Sequence, residues 1–155
     1  MTSNPSSAAL SSVLQSEFVH RWDVRIYYDD TDSTGLVYHA NYLRFAERAR
    51  TDMLRDLGFD HTRLLAEDGI AMVVRRLSAD YRQPARLDDL LRVETRIRTL
   101  RGASMDLDQT IRRNGIDLVR ISLKLACITA DGRATRVPPA LHTVFGRLVD
   151  RSVDS

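Results

Sequence analysis

From Trp22 to Tyr28 apolar and polar positions alternate: Trp22, Val24, Ile26 and Tyr28 against Asp23, Arg25 and Tyr27. An extended chain points successive side chains to opposite faces, so this period of two predicts a half-buried strand. Asp29 to Gly35 breaks the pattern with Asp, Ser, Thr and Gly, the composition of a loop or tight turn. Then the period changes. Tyr42, Phe45, Ala46, Ala49, Met53 and Leu57 recur at spacings of three and four, with Arg44, Arg48, Asp52, Arg55 and Asp56 on the other side. That is one broad apolar stripe on a helix over 39–57, closed by Gly58 at the C′ position. Residues 61–67 read as one further short helical turn.

Beyond Ile70 the pattern is that of strands. Ile70 to Arg82 is one long candidate, stopped by Pro84. Leu90 to Leu100 sets Val93, Thr95, Ile97 and Thr99 against Arg92, Glu94, Arg96 and Arg98. Arg101-Gly102 turns the chain into Ser104 to Arg112. Asn114-Gly115 is a strong hairpin signal, because a type I′ turn needs positive φ at both central residues. Ile116 to Thr129 follows, ended by Asp131-Gly132, and Val137-Pro138-Pro139 leads into a short terminal segment, helical in outline, through Leu148. One strand, one long helix and about four antiparallel strands make an α+β layout rather than a βαβ alternation. A helix of ~18 residues is ~27 Å long at ~1.5 Å per residue, so a curved sheet can wrap around it.

Composition narrows the class. The chain has 155 residues, 43% hydrophobic and 28% charged, which fits one globular domain. Its expected bounds are 18–149, between tails 1–17 and 150–155. No apolar run approaches the ~18 residues of a membrane span. The single cysteine, Cys127, excludes an intramolecular disulfide and a cysteine-based zinc cluster. Net charge is +2, and Lys124 is the only lysine among 23 basic residues. The arginines are interleaved with acids and form no tract, so no nucleic-acid partner is expected. Residues 1–17 have no basic start and a broken apolar centre, unlike a secretory signal. The expected location is therefore the cytoplasm.

The chemistry concentrates in Tyr28 to Tyr42, YDDTDSTGLVYHANY. Asp29, Asp30 and Asp32 fall in a turn between strand and helix, and Gly35 lets the backbone bend sharply. His39 comes at the helix start, where peptide N–H groups lack an intrahelical partner. Such donors, with the helix dipole, stabilise a developing oxyanion, and a nearby carboxylate can attack an acyl carbon or orient water. The plainer alternative is a structural turn, since Asp commonly hydrogen-bonds local backbone. On the helix, Glu47 and Arg50 are spaced as an ordinary surface pair. Asp30-x-Asp32 superficially echoes the haloacid dehalogenase phosphatases, but no βα alternation follows residue 69. A calcium-binding EF-hand lacks its Glu, position twelve from Asp30 being Asn41. No metal site is expected.

The string from Val24 to Gly58 resembles the hotdog-fold acyl-CoA thioesterases, in particular the tol-pal-associated branch of the 4-hydroxybenzoyl-CoA thioesterase-like family. That family carries Tyr-x-Asp-Thr-Asp-x-x-Gly-x-Val-Tyr-His-x-x-Tyr, matched by Tyr28, Asp30, Thr31, Asp32, Gly35, Val37, Tyr38, His39 and Tyr42. Glu47 and Arg50 match its Glu-x-x-Arg. The likeness continues through Asp80-Tyr81, Pro84-Ala85 and Asp88-Asp89. It implies a hotdog fold, a five- or six-stranded antiparallel sheet around one long helix. It implies hydrolysis of acyl-CoA, with coenzyme A as part of the substrate and no separate cofactor. Asp32 would be nucleophile or general base, and the His39 amide would polarise the carbonyl. Gly35 and Tyr38 would belong to the substrate site. Arg98 and Arg101, and more weakly Arg133 and Arg136, are candidates to hold the phosphates of coenzyme A. The resemblance also implies a homodimer or homotetramer with active sites at the dimer interface. A hydratase or dehydratase on acyl thioesters and a non-catalytic acyl-CoA binding protein are the competing expectations.

Overall fold

A computed structural model describes residues 17–150. Strands β1 (His20–Arg25), β2 (Ile70–Tyr81), β3 (Leu90–Leu100), β4 (Ser104–Arg113) and β5 (Ile116–Thr129) form one sheet in the order β1-β3-β4-β5-β2. Every neighbouring pair is antiparallel. The helices are α1 (His39–Asp56), α2 (His61–Arg63), which runs into a π-helical turn over Leu64–Asp68, and α3 (Pro139–Leu148). This is the α+β arrangement of a sheet curved around one long helix. Among the described residues no helix is long and apolar enough to cross a membrane. The expected tails lie outside the described residues except for Glu17 and Asp150. Glu17 pairs with Arg96 at 3.0 Å, and the buried Asp150 donates its N–H to the Ile97 carbonyl at 2.8 Å.

The period-two pattern works because the sheet is buried on one face. Leu91, Val93 and Ile97 of β3 and Met105, Leu107 and Ile111 of β4 all turn inward beneath α1. The helix answers with Tyr42, Phe45, Ala46, Ala49, Met53 and Leu54, all buried, and packs against β1, β3 and β4. Its C-terminus closes in a Schellman motif. Gly58, at φ +93°, donates to the Arg55 carbonyl at 2.9 Å, and Phe59 donates to the Leu54 carbonyl at 3.0 Å. Asn114 and Gly115 have φ of +51° and +79°, as the type I′ hairpin between β4 and β5 requires.

Two expectations change. The first strand stops at Arg25 rather than reaching Tyr28, because Arg25 pairs with Leu90, where the neighbouring β3 begins. Tyr28–Asp30 instead makes one 3-10 turn, held by the Asp30 carboxylate accepting the Tyr27 N–H at 2.8 Å. Arg50 also does not lie on the surface beside Glu47. It turns inward and donates to Gln109 Oε1 at 2.9 Å. Gln109, itself buried on β4, donates to the Ala46 carbonyl at 2.9 Å and to Thr95 Oγ1 at 3.0 Å. Burial pushes the Arg50 guanidinium below its ordinary pKa, against a small opposing pull from Glu47.

Candidate active site

The segment from Asp30 to Tyr38 folds back as a narrow loop ahead of α1. The Asp32 N–H donates to the Leu36 carbonyl at 2.9 Å, and the Gly35 N–H returns to the Asp32 carbonyl at 3.0 Å. Gly35 sits at φ +79°, where a side chain would strain the backbone. The loop is fastened to its surroundings. Val37 donates to the Ala85 carbonyl at 3.0 Å, Tyr38 to the Asp30 carbonyl at 3.1 Å, and the Asn41 side chain to the same Asp30 carbonyl at 2.8 Å. The Ala85 N–H in turn donates to the Tyr42 hydroxyl oxygen at 2.9 Å.

Asp32 is exposed on this loop. Its Oδ1 accepts the Thr34 N–H at 2.8 Å and a short hydrogen bond from the Thr34 hydroxyl, while Oδ2 takes neither. The Thr34 hydroxyl, and then its amide, hold the Asp32 carboxyl below the usual carboxylate range, with a smaller pull from His39. The group is therefore ionised at neutral pH.

Helix α1 starts at His39. The preceding Tyr38 is extended and gives no side-chain cap. Among the described residues the amides of His39 and Ala40 have no acceptor, whereas the Asn41 amide reaches the Tyr38 carbonyl at 2.9 Å. Asp32 and His39 line one cavity of about 300 Å³, together with Thr34, Leu36, Val37, Tyr42 and the segment Tyr81 to Pro84. Asp32 and His39, the helix-opening residue with a free amide, thus border a single space, an arrangement suited to an acyl carbon and its carbonyl oxygen.

The other expected residues lie differently. Gly35 shapes the loop from outside the cavity wall. Tyr38, about half exposed, sets its ring edge-on to His39 with centroids 4.6 Å apart. Arg98 and Arg101 stand at the far end of β3. They pair with Asp108 at 2.9 Å and Asp106 at 3.1 Å, beside Arg76 and Lys124, in a separate groove of about 460 Å³. This groove shares no wall residue with the Asp32 cavity, so one chain does not bring these arginines to the carboxylate. Arg133 pairs with Asp131 at 3.2 Å on the surface.

Tyr81 was not singled out from its pattern. Its hydroxyl donates to the His39 carbonyl at 3.2 Å. It occupies the position where alternation calls for an inward strand residue, so its period hides its chemistry.

One group could offer ligands to a cation. His20 Nε2 lies 2.8 Å from Asp56 Oδ2 and 3.7 Å from Asp52 Oδ2. A ligating histidine normally donates its second ring N–H to a partner, yet His20 Nδ1 is buried without one among the described residues. The cluster ties β1 to α1 and takes no part in the Asp32 cavity wall.

Known proteins share this sequence and fold. The profile of the thioesterase superfamily matches residues 34–119. The chain is 49% identical over 105 residues to the acyl-CoA thioesterase YbgC of Haemophilus influenzae, covering 68% of this chain and 77% of that protein. It is 52% identical over 91 residues to the acyl-CoA thioester hydrolase YbgC of Escherichia coli O6:H1, covering 59% and 67%. The crystal structure of a probable thioesterase from Bartonella henselae superposes with a TM-score of 0.76 at 39% identity, over 78% of this chain and all of that one. The chain belongs to the thioesterase superfamily, on the hotdog fold.

Proposed function

We propose that this protein hydrolyses acyl-CoA thioesters to the free acid and coenzyme A. The observation that carries the reading is the cavity shared by Asp32 and His39, the residue that opens α1 with an unpaired amide. The relatives' activities support it. In the reaction Asp32 Oδ2 attacks the thioester carbonyl carbon. The carbonyl electrons move onto oxygen, where the His39 amide receives them. The C–S bond breaks, coenzyme A leaves as thiolate and takes a proton from water, and water hydrolyses the resulting anhydride. General-base activation of water by Asp32 is the other route.

The reading includes a homodimer, or a tetramer of two dimers, working in the cytoplasm on cellular coenzyme A esters. Strand β2 is twelve residues long and, among the described residues, pairs on one side only, with β5. Such an edge normally is covered. Val74 and Tyr81, on the helix-facing side of β2, are 45% and 44% exposed. A second copy paired there would extend the sheet and close the cavity that Tyr81 to Pro84 leave open. Tyr38 and Gly35 then border the substrate, and Arg98 and Arg101 are the proposed cations for the phosphates of coenzyme A.

Thiol release from a panel of acyl-CoA esters, followed with a thiol-reactive dye alongside sedimentation, tests this. Equal yields of thiol and free acid from a dimer or larger assembly are expected. A change in enoyl absorbance without free thiol would indicate a hydratase, and binding without turnover a non-catalytic acyl-CoA protein; either overturns the reading.

A further inference from the structure

Arg44, Arg48 and Arg55 follow one another on α1 at spacings of four and seven residues. They therefore share one stripe of the helix, roughly 6 and 10 Å apart along its axis. All three are exposed, and with Trp22 they line one groove of about 410 Å³. At ~3.6 residues per turn the stripe lies roughly opposite His39, and the groove shares no wall residue with the Asp32 cavity. The two acids in the groove answer other cations. Asp52 lies 3.7 Å from His20 Nε2, and the charge of Glu47 acts on the half-buried Arg50. Among the described residues no carboxylate pairs with the three arginines, and Arg44 alone has a partner, the Asn41 amide oxygen at 3.4 Å. Trp22, the single tryptophan of the chain, is only partly buried, and among the described residues no ring stacks on it. It shares one face of β1 with His20, which reaches Asp56 on α1 at 2.8 Å, so Trp22 runs alongside the middle turns of the helix.

We propose that this groove is a nucleotide site, in which a purine base stacks on Trp22 and a chain of two or more phosphates lies along Arg44, Arg48 and Arg55. The planar guanidinium fork matches phosphate oxygens two at a time. An aromatic face accepts any base, since every base has a π-face of its own. The volume falls within the ~300–1,000 Å³ of small-molecule sites. An acidic peptide would answer the arginines but leave the indole face unused.

Indole fluorescence reports on this groove alone, because no second tryptophan contributes. ATP is expected to quench it to saturation. Adenosine, which lacks the phosphates, and tripolyphosphate, which lacks the base, should each bind about 10-fold more weakly or worse. Arg48→Gln and Arg55→Gln each remove one charge-assisted contact and should weaken ATP about 10-fold. KM for acyl-CoA is expected to stay at the wild-type value in Arg48→Gln. No quenching by ATP, quenching unchanged in both arginine variants, or an oligoglutamate peptide that binds more tightly than ATP overturns the nucleotide site. A raised KM in Arg48→Gln also overturns it, by making the groove part of the substrate site.

Discussion

Asp32→Asn is expected to lower kcat/KM for acyl-CoA hydrolysis by about 10²- to 10⁴-fold, with the fold and Tm unchanged. The substitution is nearly isosteric. Its amide oxygen still accepts the Thr34 N–H and hydroxyl, so the loop keeps its form. What disappears is the negative oxygen that attacks carbon or takes a proton from water. Thiol release at the wild-type rate would show that this carboxylate is not the catalyst. The pH dependence follows with a definite sign. The active form is the carboxylate, and the Thr34 hydroxyl and amide keep its pKa below the ordinary value. Wild-type kcat/KM should therefore hold as pH falls through the usual carboxylate range and decline only below it. Thr34→Val removes the leading contribution, and its acid limb should move upward into that range. Superimposable acid limbs would mean that Asp32 ionisation does not govern the free enzyme.

The second large effect is structural. Phe45 is almost wholly buried where α1 meets the sheet, and its ring lies edge-on to Tyr42 at 6.3 Å. Phe45→Ala removes the apolar surface and leaves a cavity that close-packed neighbours fill only in part, costing about 3–5 kcal/mol. Domains of this kind are stable by only ~5–15 kcal/mol. The midpoint of urea unfolding should fall steeply with little change in slope. A loss under ~1 kcal/mol would mean that the helix is not held to the sheet through this ring.

Strands β3 and β5 were legible to the residue because alternation and turn chemistry coincide at their ends. The end of β1 was not, since it is decided by where β3 begins rather than by anything in Ile26 to Tyr28. Tyr27 and Tyr28 keep the alternation going although no strand lies beside them. The Asp32 loop and the helix start were readable because a carboxylate turn, a glycine and a histidine fall within eight residues. Tyr81 joins that site from 42 positions further along the chain, a proximity that only folding creates. Arg50 lies at the border of the helix's apolar stripe, where spacing alone leaves inward and outward equally open. Its direction is settled by Gln109, which has no signature of its own on β4. Arg98 and Arg101 fit a phosphate site by type, but each already faces an aspartate on the neighbouring strand.

The Gln109 side chain has a further consequence for how the molecule reaches one structure. Apolar surfaces attract without direction, and a greasy helix can dock on a greasy sheet in several ways. Sliding α1 by one turn, about 5.4 Å, would carry the Ala46 carbonyl and the Arg50 guanidinium away from that amide. The glutamine oxygen would then lose its donor, and its nitrogen would keep only Thr95, at a cost of ~1–3 kcal/mol for each lost partner. The amide works as a locating pin, rejecting misaligned dockings that hydrophobicity by itself would tolerate.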